Sequence, residues 1–414
     1  MTRVRLSPLT SALLALTVAA FYGRTLTFGL IWDDFAALRP RPLAALAAAW
    51  HGPWDPGGVW PDFYRPLSIA LYDALFRLLG HQAVALHLVT LLLLFAAAWL
   101  LGSIVAEECD DARCGAVAAL LFVTHPQTPA SLAAWISQVF HLAPLLCALA
   151  AIRTWQHTRA RGRAIGWAGV MAWLAAGVLF KEDTIMVVPA LLLWHALRRR
   201  LIGDVPAITP RALVGMLAGV LAYAAWRLHV ADVFTGYVNP SPMRFALNYT
   251  VAWVSTLGYQ WTPTAHALGA ITGPGLIALA VLARRAWPDA GPASKLVVGE
   301  GVVLGACASL PLVLASGPTR LHLMIAAATW TVAGLVAVIV DTADGRRVLT
   351  SRLGTVVVTV WLIAAGTATV WHTRSFAPCA PDAIERDKVV LLWDILTPPL
   401  RHEIESRIAA CTTP

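Results

Sequence analysis

The sequence predicts an all-α integral membrane protein with about eleven transmembrane helices, each near the roughly 20 residues that a bilayer core requires. Three observations carry that expectation. The 414 residues are 58% hydrophobic and 13% charged, with a mean hydropathy of +0.67, which is far from a soluble domain. Apolar stretches recur at 8–30, 83–105, 114–124, 131–151, 165–180, 184–197, 211–230, 267–283, 296–315, 322–340 and 354–371. Basic residues gather between them in alternate loops, as the positive-inside rule requires.

Charge placement sets the expected orientation. Arg3 and Arg5, Arg153 to Arg163, Arg198–Arg200, Arg284, Arg285 and Lys295, and Arg346 to Arg352 fall on one side when the N-terminus is cytoplasmic. The net charge of +8 is thus explained by topology, and no nucleic-acid partner is expected. Glu107, Glu108, Asp110 and Asp111 fall on the same side, which is tolerable because acids carry little topological weight. No small-residue cleavage site precedes Asp33, so a cleaved leader is not expected.

Taken in order, the first span ends near the acidic pair Asp33 and Asp34 and opens an outer loop, 31–82. Charges beside a bilayer boundary are costly unless water, a partner or a substrate compensates them, so both are candidate functional residues. Within the loop, Pro42 to Trp50 reads as a short amphipathic helix. Pro66 opens a second, with Leu67, Leu71, Ala74, Leu75 and Leu78 on one face and Ser68, Asp73 and Arg77 on another. Tyr64 and Arg65 stand just before it. The chain next reaches the outer side at His125 and turns back through Trp135 to His141. It returns there again at Lys181, Glu182 and Asp183, where the plain alternative is that Lys181 pairs with Glu182. Residues 244–263 read as interfacial or re-entrant. Arg320 stands at a late outer boundary, with snorkelling as its plain alternative.

The membrane domain is expected over 1–371 and a short outer tail over 372–414. Six cysteines show no zinc-like spacing. Cys379 and Cys411 fall together in the tail, in an oxidising compartment, and a disulfide between them is expected. No internal repeat is legible.

Asp33, Asp34, Tyr64, Arg65, His125, His141, Lys181, Glu182 and Arg320 share one side of the predicted membrane. Carboxylates beside cations there suit a substrate with an anionic head and a lipid tail. A positioned carboxylate acts as a general base, worth about 10²–10⁴-fold. A cation stabilises charge on a departing phosphate. Asp33 and Asp34 could instead hold a divalent metal, Mg or Mn.

These residues resemble a family. Thr27 to Asp34 is similar to the end of the first helix in GT-C membrane glycosyltransferases, where an acidic pair opens the first outer loop. Tyr64-Arg65-Pro66-Leu67 with Gly80 and His87, then His125-Pro126 and Trp135-Ile136-Ser137, then Lys181-Glu182 with Pro189, run in the order seen in bacterial relatives of the transmembrane and tetratricopeptide-repeat O-mannosyltransferases. Arg320 is similar to their late-loop arginine. The chain departs from the pattern at Gln127–Ala130, where the family carries a glutamate, and at Gln138–His141, where it carries an arginine and an acid.

The resemblance implies a polyprenyl-phosphate sugar donor, inverting transfer to an acceptor hydroxyl outside the cytoplasm, and a bacterial inner-membrane location. It makes Asp33 or Asp34 the base, with Tyr64, Arg65, His125, His141, Lys181, Glu182 and Arg320 binding substrate. Two readings of other classes stay open, a transporter or flippase for lipid-linked substrates and an inactive scaffold.

Overall fold

The computed structural model describes residues 4–31, 33–53, 63–125, 128, 132–133, 135–161, 164–203, 208, 210–230, 276–314, 322–342, 363, 366–367, 370, 379, 381–391 and 398–412. Among them there is no strand, and the helices are α1 (Pro8–Tyr22), α2 (Asp33–Ala37), α3 (Leu43–Ala48), α4 (Pro66–Leu79), α5 (Ala83–Cys109), α6 (Ala112–Thr124), α7 (Val139–Arg161), α8 (Ala164–Phe180), α9 (Val187–Leu201), α10 (Pro210–Val230), α11 (276–286), α12 (Pro292–Leu314), α13 (His322–Val340), α14 (Pro381–Val390) and α15 (Pro398–Thr412).

Six helical stretches are long and apolar enough to cross a bilayer: Pro8–Thr27, Ala83–Cys109, Ile136–Arg159, Pro210–Val230, Pro292–Pro311 and His322–Val340. Ala112–Thr124 and Gly166–Phe180 are shorter apolar helices. Together they make a multi-pass membrane bundle. The expected span at 267–283 is described only from residue 276, and 244–263 and nearly all of 354–371 lie outside the described residues.

Local chemistry explains the ends. Ser7 caps α1 by accepting from Thr10 N at 3.0 Å, with Pro8 in the first turn. The α-helix stops at Tyr22 and continues as a 3-10 turn, Gly23–Thr27, where the Thr25 and Thr27 hydroxyls bond back to the Tyr22 and Arg24 carbonyls at 2.8 Å. Asp33 and Asp34 therefore ride on a short helix of their own rather than on the end of the first span. Asp110 ends α5 in the left-handed region at φ 54°, and Asp111 caps α6 through Arg113 N at 2.8 Å.

Packing relies on close backbone approach. A Cβ at Gly102 would lie 2.7 Å from the Gly115 carbonyl, and one at Gly334 would lie 2.7 Å from Val298 N. Glycine at these points lets α5 reach α6 and α12 reach α13, the small-residue contact that membrane helices use. Trp155, Trp194 and Trp330 are buried together in the core, with ring centroids 5.9 and 5.1 Å apart. Outward, Leu9, Leu16, Leu88, Leu92, Leu221 and Leu228 stay exposed, as lipid-facing residues do.

The helix expected at 131–151 runs instead over 139–161, so Arg153 and Arg159 lie inside it. They are tolerated because Arg153 pairs with Glu107, and Arg159 donates to Glu108 at 3.0 and 3.3 Å. Arg198 on α9 bridges Glu108 and Glu300. This charged network closes one end of the bundle, where the C-termini of α5, α7 and α9 meet α12.

Candidate functional site

The opposite end gathers the candidate residues. Its framework is the segment from Leu30 to Arg41. Asp34 is fully buried; its Oδ2 accepts from Ile31 N at 2.9 Å and its Oδ1 from Ser137 N at 2.7 Å. Arg41 donates to the Ala37 and Ala36 carbonyls at 2.9 and 3.3 Å, closing the C-terminus of α2. Arg41 N in turn donates to Asp73 Oδ1 at 2.9 Å. Asp34 thus ties the loop to the turn before α7, a positioning role. Asp33 opens α2, and its side chain lies outside the described residues.

Helix α4 corrects the expected distribution of its faces. Ser68, Tyr72 and Asp73 turn inward, while Ala74 and Leu78 are exposed. The polar face is the packing face because each group finds a partner. Ser68 Oγ donates to the Phe180 carbonyl at 2.8 Å, Tyr72 Oη donates to the Ser137 carbonyl at 2.7 Å, and Asp73 takes Arg77 Nε at 2.5 Å. Of the leucine stripe only Leu78 is left outward; Leu75 is buried in the same apolar cluster as Ile69 and Tyr72, and Leu71 packs against it.

Arg65, just before α4, meets Glu182 in a two-pronged pair, Nε to Oε2 at 3.0 Å and Nη2 to Oε1 at 2.6 Å. Its guanidinium also lies 4.1 Å from the centre of the Phe63 ring and 5.6 Å from that of Phe140. Burial by itself would lower the Arg65 pKa, but the Glu182 carboxylate raises it on balance. Burial would raise Glu182, and Arg65 holds it below the carboxylate range.

Lys181 does not pair with Glu182. Its Nζ lies 2.9 Å from His141 Nδ1 and 3.3 Å from Asp183 Oδ2, and the same carboxylate oxygen lies 3.3 Å from His322 Nε2. The His141 and His322 rings are 5.1 Å apart, so the four side chains form a closed polar ring. A charged Lys181 requires Nδ1 of His141 to accept, which puts the ring proton on Nε2. Burial draws Lys181 below its ordinary value, although Asp183 opposes this. Asp183 is held well below the carboxylate range, because His322 and Lys181 outweigh the effect of burial.

Ser137 and His141 stand one helical turn apart, so the Asp34 loop and the Lys181 ring are neighbours through α7. His125 is buried at the end of α6, where its carbonyl accepts from Thr128 N at 2.9 Å. Tyr64 is buried and donates to the Trp50 carbonyl at 3.2 Å, closing the outer loop. Arg320 lies outside the described residues.

Sequence reasoning passed over Asp183 and His322 as site residues. His322 carried a faint signal, a ring nitrogen placed at the start of an otherwise apolar span. Asp387 and Arg407 of the tail carried none. Among the described residues no three His, Cys, Asp or Glu side chains are grouped to hold a metal ion. Both Asp34 oxygens are engaged by backbone N–H groups, and the Asp33 side chain lies outside the described residues.

Cys379 and Cys411 are bonded, with Cα atoms 5.1 Å apart, and Cys109 is bonded to Cys114. Cys147 and Cys307 are buried thiols. No protein-family model matches this chain, and no curated protein matches it.

Proposed function

We propose that this protein is a membrane glycosyltransferase that moves a sugar from a polyprenyl-phosphate donor to an acceptor hydroxyl on the extracytoplasmic face. The observation that carries the reading is the convergence of five segments far apart in sequence. Asp34 with Ser137, Arg65 with Glu182, and Lys181 with His141, Asp183 and His322 all meet at one end of the bundle. Arg153, Arg159 and Arg198 lie at the other end, which by the positive-inside rule is cytoplasmic. The same rule supports a cytoplasmic N-terminus, and the full count is about eleven spans in a bacterial inner membrane.

Since both Asp34 oxygens already serve the backbone, Asp33 is the general base in this reading and Asp34 holds its helix. Lys181, whose burial is offset by one carboxylate, supplies the cation nearest a departing phosphate. Arg320 contributes a second.

An inactive scaffold is the second reading. It is favoured by one observation, that Arg65 and Lys181 are each neutralised by carboxylates of the chain itself.

Native mass spectrometry of the detergent-purified protein with its co-purified lipids tests the reading. A polyprenyl-phosphate sugar on the wild type and none on Arg320→Ala supports the donor class. Bulk phospholipid alone, across several mild detergents, sinks it.

A further inference from the structure

The tail beyond the membrane domain takes part in the candidate site. Arg407 on α15 donates from Nη1 to the Leu30 carbonyl at 2.9 Å, across 377 positions of sequence. Leu30 is the third residue before Asp33. The guanidinium is itself fixed by Asp387 on α14, Nε to Oδ2 at 2.8 Å and Nη2 to Oδ1 at 2.7 Å. It also lies 5.6 Å from the centre of the Phe35 ring, on the helix that carries Asp34. All the distances are those of a fully engaged guanidinium, with two sides on a carboxylate and one on a backbone oxygen.

Three further observations point the same way. Val390 and Ile404 are fully buried in one apolar cluster with Leu30, Phe35, Leu38 and Tyr72, so the tail helices pack on the loop. A Cβ at Gly29 would lie 2.9 Å from Arg407 Nη1, so glycine at this place leaves room for the guanidinium to reach Leu30. The Cys379–Cys411 bond fastens the last turn of α15 to the chain ahead of α14.

We infer that Arg407, oriented by Asp387, is a positioning residue that clamps the Asp33–Asp34 loop, and that the disulfide-fastened tail is a working part of the catalytic end. A tail without this role would be indifferent to the carbonyl it touches. The clamp rests on geometry alone; its effect on turnover rests on the transferase reading.

Hydrogen exchange of the full-length protein in detergent tests the clamp directly. In Arg407→Ala, and in Gly29→Ala, which displaces the guanidinium while sparing Asp387, amides of residues 30–38 exchange at least about 10-fold faster. The α12–α13 pair exchanges as in the wild type. The charge swap Asp387→Arg with Arg407→Asp restores the ion pair without the Leu30 bond, so α15 recovers its protection and the loop does not. Wild-type loop exchange in both single variants, or loop recovery in the swap, overturns the clamp. If Arg407→Ala fails to accumulate, Gly29→Ala and Cys379→Ser with Cys411→Ser give the same reading.

With a polyprenyl-phosphate sugar donor, Gly29→Ala lowers kcat roughly 10- to 100-fold at unchanged donor KM, as a displaced catalytic group does. An unchanged kcat overturns the positioning role. A wild type that turns over no such donor overturns the transferase reading instead, and the exchange result still decides the clamp.

Discussion

Arg65 and Glu182 are 117 residues apart in sequence and meet through two near-parallel hydrogen bonds of 3.0 and 2.6 Å. The pair joins the loop before α4 to the turn after α8, and it rests on the Phe63 ring. Removing one partner leaves a buried charge without its counter-ion. Glu182→Gln costs roughly 2 kcal/mol, less than a fully buried pair, since the Glu182 side chain is 37% exposed. Arg65→Lys loses the fork geometry and costs a similar amount. Thermal unfolding in detergent measures both, and a midpoint within error of wild type would show that the pair is a surface contact only.

The acidic pair divides into two roles. Asp34→Asn replaces an acceptor facing Ile31 N or Ser137 N with a donor, so the protein loses about 1–3 kcal/mol. Asp33→Asn leaves the unfolding midpoint in place and abolishes transfer. The measurement is unfolding beside donor turnover for each variant. Equal midpoints for the two would contradict the positioning role of Asp34, and turnover by Asp33→Asn would remove it as the base.

Acid should loosen this end of the bundle. Glu182 and Asp183 both have folded pKa values below the ordinary carboxylate range. The unfolded chain therefore binds their protons first, so their contribution is complete above the ordinary range and is lost as pH falls through the folded values. The unfolding midpoint declines from about pH 5 downward. Glu182→Gln flattens part of that decline; an identical slope in the variant would contradict the assignment. Lys181 has the same sign in a higher pH window, because its folded value is lowered too. Stability is gained as pH rises toward its ordinary value of about 10.4, and Lys181→Met removes that gain.

At the other end, Arg198 joins Glu108 and Glu300, and its side chain is 6% exposed against 4% and 0% for the two acids. Arg198→Met leaves both carboxylates buried without their shared cation and costs about 3–5 kcal/mol. A differential scan of the purified protein reads the loss. Full recovery when Glu300→Gln is added would show that Glu300 carries most of the penalty.

The helical class and the places of the six long apolar helices, one of them shifted along the chain, are legible from hydropathy, because lipid allows only closed backbone hydrogen bonding and long apolar runs announce it. Asp34, Arg65, Lys181 and Glu182 are legible as candidates for the same reason, since charge beside apolar sequence is conspicuous. Which cation pairs with which acid is not. Lys181 sits next to Glu182 in sequence, yet it turns to Asp183 and His141, while Glu182 reaches Arg65. Adjacent residues in a tight 3-10 turn point in different directions, so proximity along the chain misleads there.

The amino-acid sequence by itself determined that this chain crosses a membrane many times and that its ionisable residues gather at the boundaries. Both follow from the cost of placing charge and open backbone in hydrocarbon, which depends on composition along short windows. The tertiary structure alone decided that Asp34 is a backbone anchor, that His322 completes a ring with Lys181, and that Arg407 reaches Leu30. Those facts depend on distances of a few ångströms between segments more than a hundred residues apart, set by helix packing that no local pattern encodes.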